Sequence, residues 1–121
     1  MSDGPLGRVR AIALALPGAV EQETWDHPTF RVAGKIFAIF SDEPPHGPRL
    51  SLKAPPGVQA MLVGAFPERF FLPPYTAHKG WVGVALGEDR VDWDEVAALV
   101  ERSWRMTAPK RLAAGRPEAE G

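Results

Sequence analysis

Two short β-patterned runs joined by a two-residue turn constrain this chain more than any other feature. Thr29-Phe30-Arg31-Val32 alternates polar and apolar side chains, as a half-buried strand does. Ala33-Gly34 follows, and because glycine reaches positive φ without strain the chain can reverse there. Lys35-Ile36-Phe37-Ala38-Ile39-Phe40 is a second strand, apolar almost throughout and therefore predicted to lie centrally in a sheet. A connection this short permits only antiparallel pairing.

The rest of the chain is punctuated in the same way. Leu6, Val9, Ile12, Ala13 and Leu16 recur at helical spacing, with Ser2 or Asp3 as cap, Pro5 in the first turn and Pro17-Gly18 as terminator. Glu21 to Asp26 reads as an acidic connector. Asp42 to Pro48 holds three prolines and a glycine and is predicted as a loop. Arg49-Leu50-Ser51-Leu52-Lys53 alternates cleanly and forms a third strand. Pro55-Pro56 opens a second helix with Val58, Met61 and Leu62 on one side. Arg69 to Leu72 is a short edge strand closed by Pro73-Pro74, and Trp81 to Leu86 is the last strand.

The final helix carries the plainest signals. Asp92 is its N-cap, Glu95 completes a capping-box pattern, and both Asp94 and Glu95 complement the helix dipole. Val96, Leu99, Val100 and Ser103 line its inner face, and Pro109 stops it. Lys110 to Ala114 adds a short turn. The expected architecture is α+β in two layers, α-β3-α-β2-α, with one antiparallel sheet of about five strands and helices on one face. Residues 1–114 are read as a single domain and 115–121 as a disordered tail.

Composition excludes several chemistries. The chain has 121 residues and no cysteine, which removes disulfides, thiolate catalysis and cysteine-held metals. No apolar run approaches the roughly eighteen residues a membrane span requires. The N-terminus lacks a basic region followed by a long apolar stretch, so no signal peptide is expected and the predicted location is cytoplasmic. Asparagine is absent and arginine outnumbers lysine, which hints at a GC-rich bacterial genome. Gly34-Lys35 lacks the earlier glycine and the following Ser or Thr of a phosphate loop. The four serines, Ser2, Ser41, Ser51 and Ser103, sit in no nucleophile motif. His27, His46 and His78 have no metal-ligand spacing, and Asp26-His27 and the acids from Asp89 to Glu95 are explained by strand entry and helix capping. No enzyme activity, cofactor or metal is expected.

The net charge is −1, yet the charge is segregated. Between His27 and Trp81 six bases (Arg31, Lys35, Arg49, Lys53, Arg69, Lys79) face three acids (Asp42, Glu43, Glu68), a local balance of +3. Glu88 to Glu95 holds five acids against Arg90. If Phe30, Val32, Leu50, Leu52, Val82, Val84 and Leu86 face the helices, the outer face of the sheet carries Thr29, Arg31, Arg49, Ser51, Lys53, Trp81, Gly83 and Ala85. That face is basic, and Trp81 beside small residues offers a stacking platform. Candidate ligand-binding residues are therefore Arg31, Lys35, Arg49, Lys53, Tyr75, His78, Lys79 and Trp81.

An ordered series of motifs resembles the MmcQ/YjbR family. It comprises Ala15-Leu16-Pro17-Gly18, then Glu21 to Phe30 (E-Q-E-T-W-D-H-P-T-F), Val32 to Phe40 (V-A-G-K-I-F-A-I-F) and Leu50-Ser51-Leu52-Lys53. Tyr75 to Val82 (Y-T-A-H-K-G-W-V) and the closing helix from Asp92 to Trp104 complete it. The resemblance implies a small bacterial DNA-binding-type protein with a frataxin-like or double-wing fold and no agreed catalytic residues. His78-Lys79 stands where the family commonly has asparagine-lysine. The expected function is a non-enzymatic nucleic-acid-binding module, DNA more than RNA, using the outer sheet face and the loop before Trp81. The competing expectation is a protein or small-ligand adaptor with an apolar patch of Trp81, Phe37 and Ile39. No membrane partner is expected, and a monomer is the default.

Overall fold

The computed structural model describes residues 4–87 and 91–114. The predicted tail at 115–121, the caps Ser2 and Asp3 and the acids at 88 and 89 lie outside those residues. Helix α1 (Pro5–Ala13) leads into four consecutive strands, β1 (Ala19–Thr24), β2 (His27–Val32), β3 (Lys35–Glu43) and β4 (Gly47–Leu52). Helix α2 (Val58–Ala65), the two-residue strand β5 (Phe70–Phe71), a 3₁₀ turn (Ala77–Lys79) and β6 (Val82–Ala85) follow. Helices α3 (Trp93–Thr107) and α4 (Lys110–Ala114) close the described chain. The six strands form one antiparallel sheet in the order β1-β2-β3-β4-β6-β5. The architecture is thus two-layer α+β.

Three differences from the sequence reading have local causes. Glu21 to Asp26, expected as a connector, belongs to the added strand β1 and its turn. Thr24 pairs with His27 across a two-residue reversal in which Trp25 and Asp26 both hold positive φ, 55° and 65°. Hairpins of this kind favour Asn-Gly or Asp-Gly, so Trp25-Asp26 gives no sequence signal. At the next reversal Ala33 and Gly34 hold φ of 52° and 80°, as the glycine implied. The expected loop from Asp42 to Pro48 shrinks to Pro44-Pro45-His46, because β3 runs on to Glu43 and pairs with Gly47.

The third difference is a bulge. Phe30 pairs with Ala38 but Arg31 pairs with Ile36, so Phe37 has no partner on β2. The extra residue lets Phe37 and Ala38 both bury completely, while Ile36 and Ile39 remain half-buried. Phe37 therefore joins the helix-side core with Phe30, Leu50, Leu52 and Val82.

Helix α3 covers that core. Asp92 caps it as expected, its carboxylate accepting from the N–H groups of Asp94 and Glu95 at 3.1 Å. The Glu95 carboxylate does not fold back toward the cap; it pairs with Arg69 Nη1 at 3.2 Å, tying the helix to the edge near β5. Val96, Leu99, Val100, Ser103, Trp104 and Thr107 form the buried stripe. Ser103 Oγ donates to Phe37 O and accepts from the Lys53 N–H at 3.0 Å. Phe37 and Lys53 lie one step past the last β3–β4 pair, Ala38 with Leu52, so one hydroxyl serves both strands where the ladder stops. Trp104 Nε1 donates to Pro17 O at 3.0 Å and fixes the turn after α1.

Removing that hydroxyl leaves a donor and an acceptor unpaired. Ser103→Ala is expected to cost about 1–3 kcal/mol in chemical denaturation, the usual penalty for orphaned buried polar groups. An unchanged midpoint would show that water replaces the hydroxyl without loss.

Candidate functional site

The eight candidate residues separate into three environments. Arg31 and Arg49 are occupied on the outer face of the sheet. Arg31 Nη2 donates to Thr24 Oγ1 at 2.9 Å and its Nε reaches Thr29 Oγ1 at 3.4 Å. Thr29 Oγ1 donates in turn to Gln22 O at 2.6 Å, and Thr29, expected to face solvent, is fully buried. The Arg49 guanidinium lies 4.3 Å from the centroid of the Phe71 ring. Phe71 pairs with Gly83, and a Cβ at Gly83 would stand 2.3 Å from the Phe71 ring. The bare glycine is what allows the ring to lie against the sheet.

Trp81 is the second environment, and it corrects the expectation of an open stacking face. Its exposure is 8%, and it stands apart from the helix-side core cluster. Phe37, the proposed neighbour in an apolar patch, is fully buried on the helix side. Neither the stacking platform at Trp81 nor the patch of Trp81, Phe37 and Ile39 exists on the surface.

The remaining five residues share one end of the sheet. Lys35 opens β3 just after the β2–β3 turn, and Lys53 follows the last residue of β4. The loop carrying Tyr75, His78 and Lys79 enters β6 at Val82, which pairs with Leu52. Lys35 pairs with Val32, a core residue, so the cluster occupies the end of the sheet more than its outer face. Burial holds the Lys53 ammonium below the ordinary lysine range, and the charges of Lys35 and Lys79 push it the same way. Among the described residues, no ion pair joins any of these three lysines to a carboxylate.

The loop that presents Lys79 is held by its own hydrogen bonds. Ala77 N–H donates to Pro73 O at 3.1 Å and Lys79 N–H to Thr76 O at 3.0 Å. Gln59 Nε2 donates to Ala77 O at 2.8 Å and to Trp81 O at 2.6 Å, bracketing the loop from α2. Sequence reasoning missed Gln59. Its signal was present: it is the single polar side chain in α2, whose sequence is VQAMLVGA. Tyr75, at φ 69°, stands 91% exposed at the tip, while His78 and Lys79 are also exposed.

Among the described residues, no group of three or more His, Asp or Glu side chains could hold a metal ion, and no helix is long and apolar enough to cross a membrane. Fold and surface together define a small two-layer α+β domain with a basic sheet end. The YjbR family model matches residues 14–106, and the chain belongs to that family. Among solved structures, the crystal structure of Deinococcus radiodurans protein DR2400, described as a DUF419 domain, is similar at a TM-score of 0.75. The match has 23% identity and covers 93% of this chain and 88% of that one, a likeness of fold. A comparison with curated proteins finds no match.

Two outcomes follow from the site. Trp81→Ala is expected to cost about 3–5 kcal/mol, as for other buried large aromatics, measured by denaturant unfolding; a loss below that range would place the ring outside the packed interior. Lys53 gives a pH effect of defined sign. Its folded pKa lies below the unfolded 10.5, so the unfolded chain binds more protons as pH approaches that value. Wild-type stability should therefore gain on raising pH from neutrality toward 10.5 relative to Lys53→Met, which lacks the titrating group. Parallel melting curves for the two proteins would contradict this.

Proposed function

We propose that this protein is a non-enzymatic nucleic-acid-binding module, for DNA more than RNA, that works from the basic end of its sheet. The observation that carries the reading is the convergence of Lys35, Lys53 and Lys79 without carboxylate partners among the described residues. Burial first lowers the Lys53 pKa, and the like charges of Lys35 and Lys79 lower it further, so the cluster carries a cost without a ligand. A polyanion removes that cost, because phosphates spaced along a backbone engage several ammoniums at once. The resemblance to a DNA-binding-type family supports the same ligand. The non-enzymatic part rests on the sequence, which has no cysteine and no nucleophile motif.

Phosphate contact has a characteristic dependence on salt. Binding of fluorescent DNA should weaken steeply as salt rises, because condensed counterions are released on association. Lys79→Ala should weaken binding to all sequences alike and lower the log–log salt slope by about one unit. Affinity independent of salt would reject the reading.

A further inference from the structure

Tyr75 is the most exposed large hydrophobic side chain of the described residues, at 91%, and it stands four positions before Lys79 on a hydrogen-bonded loop. We propose that the site takes single-stranded nucleic acid, with a base stacked on the Tyr75 ring and adjacent phosphates on Lys35, Lys53 and Lys79. This inference rests on the nucleic-acid reading above and narrows its ligand.

Two observations favour a single strand over a duplex. The first is the ring itself. A duplex keeps its base faces inside the stack, so an exposed ring beside phosphate-binding cations meets a base face only on an unpaired strand. The aromatic expected from sequence for this task, Trp81, is buried, which leaves Tyr75 as the exposed ring on the loop that carries Lys79.

The second is that none of the helices among the described residues suits a major groove. Reading duplex DNA with a helix calls for a basic, solvent-facing helical surface. Helix α2 carries no charge at all. In α3, Asp94, Glu95 and Glu101 outnumber Arg102 and Arg105, and Arg105 pairs with Glu101 at 3.0 Å. In α1, Arg10 is bound to Glu21 at 2.8 Å, and Arg8 lies 5.2 Å from the Trp93 ring centroid. Helix α4 has five residues. Lys35, Lys53 and Lys79 instead lie at strand ends and in a loop, where a flexible backbone can thread between them.

The test compares fluorescence anisotropy of the full chain with a short dT oligonucleotide, a U oligonucleotide of equal length and a duplex of equal length. Tyr75→Ala, Tyr75→Phe and the triple variant Lys35→Ala/Lys53→Ala/Lys79→Ala are run beside wild type. Tyr75 is exposed, so its variants should melt with wild type, which separates stacking from folding. Tighter binding to either single strand than to duplex upholds the proposal, and the tighter of dT and U assigns DNA or RNA. Tyr75→Ala should weaken single-strand binding roughly 5–150-fold, the worth of one base–aromatic stack, and leave duplex binding unchanged. Tyr75→Phe should bind as wild type, and the triple variant should lose both ligands. Duplex binding as tight as single-strand binding, or equal effects of Tyr75→Ala on both, would overturn the single-strand inference and leave the nucleic-acid reading standing. Failure of wild type to bind any of the three probes would overturn both.

Discussion

The Ser103 hydroxyl is the interaction on which the two layers depend. Burial of α3 on the sheet is driven by apolar area, which has no direction and would tolerate sliding. A hydroxyl that donates to Phe37 O and accepts from Lys53 N–H tolerates none. Both strand positions lie where β3 and β4 stop pairing with each other, so their polar groups need another partner to remain buried. The helix thus completes the sheet as well as covering it. Because Lys53 is the second of those positions, the same bond that docks α3 also places the backbone of a residue in the basic cluster.

That cluster shows how a binding surface and a stable fold pull against each other. Burial of the Lys53 ammonium is a cost to the unliganded domain, and the like charges of Lys35 and Lys79 add to it. The fold offsets it through rigidity nearby. Gln59 ties α2 to both ends of the 77–81 segment, and the buried Trp81 anchors the loop's exit into β6. These bonds hold the loop against the fold, which lowers the ordering cost that binding would otherwise carry.

Much of the fold was legible from residues because local signals agreed with the global answer. The Ala33-Gly34 reversal, the alternation in Arg49 to Lys53 and the cap at Asp92 each have a sequence signature tied to backbone geometry. Strand β1 was not legible, because its turn uses Trp25-Asp26 at positive φ in place of the glycine that would have announced it. The site was legible only in part. Strict alternation assigned Trp81 to an open outer face, and the adaptor reading placed Phe37 in a patch beside it. A bulge at Phe37 breaks the alternation, and Trp81 is buried just before the first residue of β6. Neither a bulge nor the packing of a loop leaves a mark in composition. Lys35, Lys53 and Lys79 were identified as cations, but their meeting at one end depends on strand order, which places β4 beside both β3 and β6.

The contiguous run from β1 to β4 has a kinetic corollary. Its pairings close over short loops, which form quickly and early. The contacts that seat the covering helix instead span 50 residues from Lys53 to Ser103, 66 from Phe37 to Ser103 and 87 from Pro17 to Trp104. On a ribosome, the four-stranded meander is complete while α3 is still unsynthesised. During that interval Phe30, Phe37, Leu50 and Leu52 lack the cover that α3 supplies. The arrival of α3, more than any strand, governs how long this sheet is vulnerable to clumping.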